Sequence, residues 1–177
     1  PELGAVSPAV FIPIAEEANL IGGLGDWALR RACEDAVQWP GNVRVAVNVS
    51  PAQFGNLNFP TVVAQALSAS GLAADRLELE VTESIFLSDE EHIEQMFKAL
   101  KILGVRLSLD DFGTGYSSLG YLKKADFNKI KIDQGFIRGV TEKGSRNIAI
   151  IRSIVSLAEG LGMDTTAEGI EAHDELD

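Results

Sequence analysis

Alternation of apolar and polar residues with a period of two runs through five separate segments of the chain, and a period near 3.6 fills the intervals between them. In the most regular segment Val105, Leu107 and Leu109 share one side, with Arg106, Ser108 and Asp110 on the other. The same parity divides Val43, Val45, Val47 and Val49 from Arg44, Ala46 and Asn48, and Leu77, Leu79 and Val81 from Glu78, Glu80 and Thr82. In Asn128–Asp133 it separates Ile130 and Ile132 from Lys129, Lys131 and Asp133, and in Met163–Glu168 it groups Asp164, Thr166 and Glu168. Each segment is predicted to be a β-strand.

The intervals read as helices. Ser7-Pro8 has the form of an N-cap followed by proline at the first helical position, with Phe11, Ile14, Ala15 and Ala18 at helical spacing. After an interruption at Gly22-Gly23-Leu24-Gly25, a second helix is predicted to carry Leu29, Cys33, Ala36 and Val37, to reach Trp39 and to stop at Pro40-Gly41. A helix from Pro60 carries Val62, Val63, Ala66 and Leu67 and is stopped by Gly71. Ser88 and Glu91 form a capping-box pair ahead of Ile93, Met96, Phe97, Leu100 and Leu103, with Gly104 past the end. A short amphipathic piece holds Leu119 and Leu122, and a helix from Ser145 to Leu161 carries Ile148, Ile151, Ile154, Val155 and Leu157.

Strands alternating with helices define an α/β protein with a parallel sheet. The polar rows choose between its two main forms. In an open doubly wound sheet both faces are covered by helices and the strands tend to be apolar throughout, whereas every strand here has one polar side. A modified TIM-type (β/α)8 barrel with a polar interior fits better, and this chain supplies about five of its strands. Sites in such barrels lie at the carboxyl ends of the strands, where Asn48, Glu80, Asp110, Lys131 and Glu168 would share one mouth. Glu78 and Arg106, one pleat repeat deeper, are placed to pair within the barrel.

A length of 177 residues with 46% hydrophobic content suits one sizeable core, so residues 1–177 read as a single domain. The formal net charge of -11 speaks against a surface that tracks DNA, RNA or anionic lipid. Cys33 is the single cysteine, lies on an apolar helical stripe, and reads as a small buried hydrophobe in a protein of a reducing compartment. The sequence has no apolar run of membrane-spanning length and no signal-peptide layout, which leaves open a longer, membrane-anchored protein of which this is the cytoplasmic part.

The candidate chemistry gathers where the central strand ends, in Asp110-Asp111-Phe112-Gly113-Thr114-Gly115. Adjacent carboxylates repel and need a cation or a strong donor set, and Gly113 and Gly115 let the backbone turn tightly beyond them. Read alone, such a pair also fits a solvated strand end that caps the next helix. Asn48, Glu80, Asp110, Asp111 and Glu168 together offer only oxygen, with all but Asn48 anionic, which suits Mg²⁺ or Mn²⁺ and is poor for zinc. Asp110 and Asp111 could hold two ions side by side for an in-line phosphoryl displacement. Lys131 would then hold a phosphate oxygen or orient the attacking water, its alternative being charge balance with Asp133 or a mouth carboxylate. His92 and His173 read as surface residues rather than ligands.

Asn48-Val-Ser50, Glu80-Val-Thr-Glu83-Ser84, Asp110-Asp-Phe-Gly-Thr-Gly-Tyr-Ser-Ser-Leu119, Lys131-Ile-Asp133 and Glu168-Gly-Ile-Glu171 closely resemble the successive motifs of the EAL domain, the bacterial cyclic di-GMP phosphodiesterase. The resemblance covers essentially the whole chain. It implies a modified (β/α)8 barrel, Mg²⁺ or Mn²⁺ as cofactor, and hydrolysis of cyclic di-GMP to the linear dinucleotide pGpG. By the same resemblance Asn48, Glu80, Asp110, Asp111 and Glu168 are metal ligands, Lys131 orients water or phosphate, and Glu171 is an acid behind the ligands near the nucleophile. Glu83 would brace the loop after Asp111, a region that in the family sits near a homodimer contact. Sensor or diguanylate cyclase modules are the expected neighbours in a longer bacterial protein.

The resemblance also implies departures. The Glu-Ala-Leu strand that names the family, with a further metal-binding acid, is expected to precede Pro1, and later strands to follow Glu171. Asn128 stands where the family usually has Asp, and Gly135 where Ser is common. Five strands do not close an eight-stranded barrel, so the chain by itself is expected not to hydrolyse cyclic di-GMP as a monomer. The alternative to an enzyme is a receptor that binds the dinucleotide without cleaving it, or an interaction module; retention of all five oxygen ligands favours hydrolysis.

Overall fold

The computed structural model describes residues 4–87, 89–113, 120, 122, 125–138, 140 and 145–170. One parallel sheet holds the five strands in chain order: β1 Val45–Asn48, β2 Leu77–Thr82, β3 Arg106–Phe112, β4 Lys129–Ile132 and β5 Asp164–Ala167. The described helices are α1 Pro8–Glu17, α2 Ile21–Ala36, α3 Pro51–Phe54, α4 Phe59–Ser70, α5 Glu90–Leu103, α6 Gln134–Ile137 and α7 Asn147–Leu161. Register couples the rows that sequence parity had grouped: Asn48 pairs with Glu80, Glu80 with Ser108, Ser108 with Lys129, and Lys131 with Thr166. The architecture is a five-stranded sector of a (β/α)8 barrel, as the alternating pattern predicts.

The apolar rows turn outward onto the helices. Leu77, Leu79, Val81, Leu109 and Ile130 are fully buried with Cys33 and Ala36 of α2, Val63 of α4, Met96 and Leu100 of α5, and Ala158 of α7. Burying each such leucine contributes about 1.5–3 kcal/mol, so the outer layer dominates stability. Cys33 is wholly buried and its thiol is pushed up to about 11, by burial and then by Glu34, which fits a packing residue and not a nucleophile. The inner rows of β2 and β3 are polar and also shielded: Glu78, Glu80, Ser108 and Asp110 are all buried.

Several boundaries differ from the sequence pattern. The glycines at 22, 23 and 25 do not interrupt a helix, because α2 runs through all three. At Gly25 a Cβ would lie 2.0 Å from the Gln53 side chain, so the absent side chain admits the α3 capping segment and packing overrides propensity. α2 ends at Ala36, short of Trp39. The N-cap of α5 is Asp89, whose carboxylate accepts the His92 N–H at 3.0 Å; Ser88 lies outside the described residues. β1 spans only Val45–Asn48, so Val43 falls outside it. The expected apolar stripe of α1 stays unburied: α1 packs on α2, none of its residues is buried, and Ile14 is 60% exposed. In α7 the buried positions are Ile154 and Ala158, while Ile148 is exposed. Leu122 is buried; Leu119 lies outside the described residues. β5 is exposed at every position, being paired on one side only. Among the described residues no helix is long and apolar enough to cross a membrane.

Candidate metal and active site

Inward parity at the strand ends delivers four side chains to one point. Lys131 Nζ lies 3.0 Å from Glu80 Oε2, 3.1 Å from Asp110 Oδ1 and 2.7 Å from Glu168 Oε1, thereby joining β2, β3 and the residue after β5 through β4. Burial by itself pulls the lysine's pKa down, but hydrogen bonds to Glu168, Glu80 and Asp110 more than reverse this, and the net shift is upward. Three carboxylates within 3.1 Å of Nζ therefore favour the charged, ammonium form of Lys131. Of the two charge-balance partners the sequence offered, the mouth carboxylates are the ones that Lys131 meets, while Asp133 is the N-cap of α6, where its carboxylate accepts the Gly135 N–H at 2.8 Å.

Adjacent residues of a regular strand point to opposite faces, which would separate Asp111 from Asp110. The register between β3 and β4 shifts between Leu109 and Phe112, and Asp111 takes a left-handed φ of 53°. This bulge turns Asp111 back toward the mouth. Carboxylate oxygens of Asp110, Asp111 and Glu168 consequently lie within 4.8 Å of one another, the one group of three or more potential metal-binding side chains found among the described residues. Burial first, then the charges of Asp110, Asp133 and Glu168, raise the Asp111 pKa above its ordinary value, with Lys131 opposing. The donor set is all oxygen and its carboxylates repel one another at Asp111, and so it fits a hard divalent ion.

Gly113 secures the turn beyond the bulge. Its φ is 96°, and a Cβ there would lie 2.8 Å from the Phe136 ring of α6. Glu83, buried in the 3-10 turn Glu83–Leu87 after β2, accepts the Gly113 N–H at 2.7 Å through Oε1. Through this bond Glu83 touches the first residue of the turn that the motif expects it to brace; residues 114–119 lie outside the described residues. Replacing Glu83 by Ala strands that N–H and is expected to cost about 1.5–3 kcal/mol of local stability. Faster proteolysis after Gly113, with lower turnover, is the outcome to measure; unchanged cleavage and turnover would refute the brace.

The remaining expected residues divide. Asn48 is exposed at the end of β1, level with Glu80, and lines a cleft together with Glu80, Thr82 and Ser84. Glu171, Gly115 and His173 lie outside the described residues. His92 is half-buried in the first turn of α5 and joins no ligand group among the described residues. Sequence reasoning missed α6, whose Asp133 caps the helix and adds charge at Asp111. The signal was present in Asp133-Gln134-Gly135, an N-cap residue directly after a strand. It also missed Gly169, where φ is 69° and a Cβ would meet Gln134 at 2.5 Å, so the step after Glu168 packs tightly on α6.

Fold and site together define a (β/α)8-type barrel domain with an acidic, oxygen-only pocket at the carboxyl ends of its strands. The chain belongs to the EAL domain family, whose model matches residues 1–177. The protein y4lL of Sinorhizobium fredii is 49% identical over 177 residues, covering 100% of this chain and 21% of that protein. Cyclic di-GMP phosphodiesterase NbdA of Pseudomonas aeruginosa is 39% identical over 180 residues, covering 99% of this chain and 23% of that protein. Among solved structures, PaMucR phosphodiesterase in complex with c-di-GMP matches with a TM-score of 0.92 and 38% identity, covering 97% of this chain and 76% of that one. The chain thus spans only about a quarter or less of the length of these curated relatives.

Proposed function

We propose that this domain hydrolyses cyclic di-GMP to linear pGpG with Mg²⁺ or Mn²⁺. The observation that carries the reading is the bulge at Asp111, which brings Asp110, Asp111 and Glu168 together beside the Lys131 ammonium. Family membership supports the substrate class. Asp110, Asp111 and Glu168 would hold the metal, with Glu80 and Asn48 completing the set along the register row that they share. When bound, such ions supply an activated water and neutralise charge on the scissile phosphate. Lys131 is placed to hold a non-bridging phosphate oxygen, its charge secured by three carboxylates. In the overall step water adds its oxygen to phosphorus, the bond from phosphorus to the ribose 3′ oxygen breaks, and the proton ends on that oxygen. Glu171 is proposed as an acid behind the ligands. Sensor or diguanylate cyclase modules are proposed as covalent neighbours, with a homodimer contact through the region after Asp111.

The test is incubation of the protein carrying this domain with cyclic di-GMP and Mg²⁺, with Glu80→Gln as control. Appearance of pGpG only in the unaltered protein is expected; tight binding without cleavage would instead support a receptor. Activity is expected with Mg²⁺ or Mn²⁺ and inhibition with Ca²⁺, whose longer and looser coordination misplaces a shared water. Full activity with zinc alone after chelation would overturn the oxygen-ligand argument.

A further inference from the structure

Directly beneath the mouth lies a second charged layer that plays no part in the scheme above. Glu78 of β2 is 2% exposed. Its Oε1 is 2.5 Å from Lys129 Nζ of β4, and its Oε2 is 3.5 Å from Arg106 Nε of β3. Arg106 Nη2 reaches Asp164 Oδ2 of β5 at 3.1 Å. Four consecutive strands therefore each contribute one charge, and two acids and two bases cancel.

We infer that Glu78 is a positioning residue for the metal site, holding Lys129 down and away from Glu80 so that the mouth keeps its negative charge. This rests on the metal-site reading proposed above. Glu80, Ser108 and Lys129 stand in one register row, so Lys129 starts level with a proposed metal ligand. A lysine ammonium on a four-carbon stem can turn to either carboxylate, and Ser108 between them is small and wholly buried. Glu78 wins because it is buried and Arg106, 3.5 Å from its other oxygen, does not hydrogen-bond it, so giving up the 2.5 Å contact with Lys129 is costly. Lys131, one pleat repeat further out, already neutralises part of the mouth. A second ammonium there would compete with a divalent cation for the same oxygens.

The experiment is Mn²⁺ binding to the full chain, by electron paramagnetic resonance or calorimetry, with thermal melts in parallel. Glu78→Gln removes one negative charge about 7 Å from the site, worth about tenfold by itself, and also frees Lys129 toward the mouth, so Mn²⁺ binding is expected to weaken by well over tenfold. Glu78→Gln/Lys129→Met removes the freed charge and is expected to restore binding, even though its melting temperature stays below that of the unaltered chain. Lys129→Met alone should bind Mn²⁺ at least as tightly as the unaltered chain, and this arm decides the matter if Glu78→Gln does not fold. A purely structural tetrad would weaken binding in all three variants or in none, and either result would overturn the inference while leaving the metal site intact. Absence of Mn²⁺ binding by the unaltered chain would overturn the metal-site reading and this inference with it.

Discussion

Lys131→Met is expected to lower hydrolysis of cyclic di-GMP by about 10²–10³-fold, the range for loss of one preorganised charge donor at a reacting oxyanion. Methionine keeps an unbranched apolar stem of similar length, so the change isolates the ammonium. The same substitution removes the shared partner of Glu80, Asp110 and Glu168 and leaves three carboxylates facing one another. Breaking a buried ion pair costs about 3–5 kcal/mol; because Glu168 is one-third exposed and screened, the lower end is expected in chemical denaturation at pH 7. The pH dependence has a definite sign. Since the folded-state pKa of Lys131 lies above the ordinary 10.5, its contribution is complete below that value and is lost only as pH rises through the folded-state value. A destabilisation that vanished between pH 8 and 10 would contradict the assignment of Lys131 as the shared cation.

Asp111→Asn is expected to abolish metal-dependent hydrolysis, by about 10³-fold or more, and at the same time to raise the stability of the chain in the presence of chelator. Asparagine tolerates the left-handed backbone that position 111 requires, so the bulge survives and only the charge goes. One of three convergent carboxylates is then lost from the metal cluster. Stability moves the other way because burial and the charges of Asp110, Asp133 and Glu168 raise the Asp111 pKa, which makes the ionised form unfavourable in the folded state. A carboxylate with a raised folded-state pKa favours folding below its ordinary value of 3.8, and that contribution is lost as pH climbs through the folded-state value. The gap between variant and unaltered chain should therefore be small near pH 3 and open toward pH 7. Destabilisation by Asp111→Asn at neutral pH would refute the electrostatic account of the bulge. The trade of stability for function at one residue is common where a strained, charged position serves chemistry.

Much of this site is legible in the sequence, because a strand has only two faces. Period-two alternation placed Glu80, Asp110, Lys131 and Glu168 on one inward row, and the structure brings those four into contact through the lysine. The donor chemistry, all oxygen and acidic, followed from residue identity alone, as did the burial of Cys33 and the helix stops at Gly71 and Gly104, both in left-handed geometry. Tertiary structure decided what periodicity cannot express. Parity forbids Asp110 and Asp111 from sharing a face; only the register shift against β4 and the positive φ at Asp111 bring them together. Glycines that read as an interruption became part of α2, because Gln53 needs the space at Gly25. The assignment of Lys129 to Glu78 and of Lys131 to the mouth carboxylates likewise depends on strand register and burial, which set distances between residues far apart in sequence and so determine which charges meet.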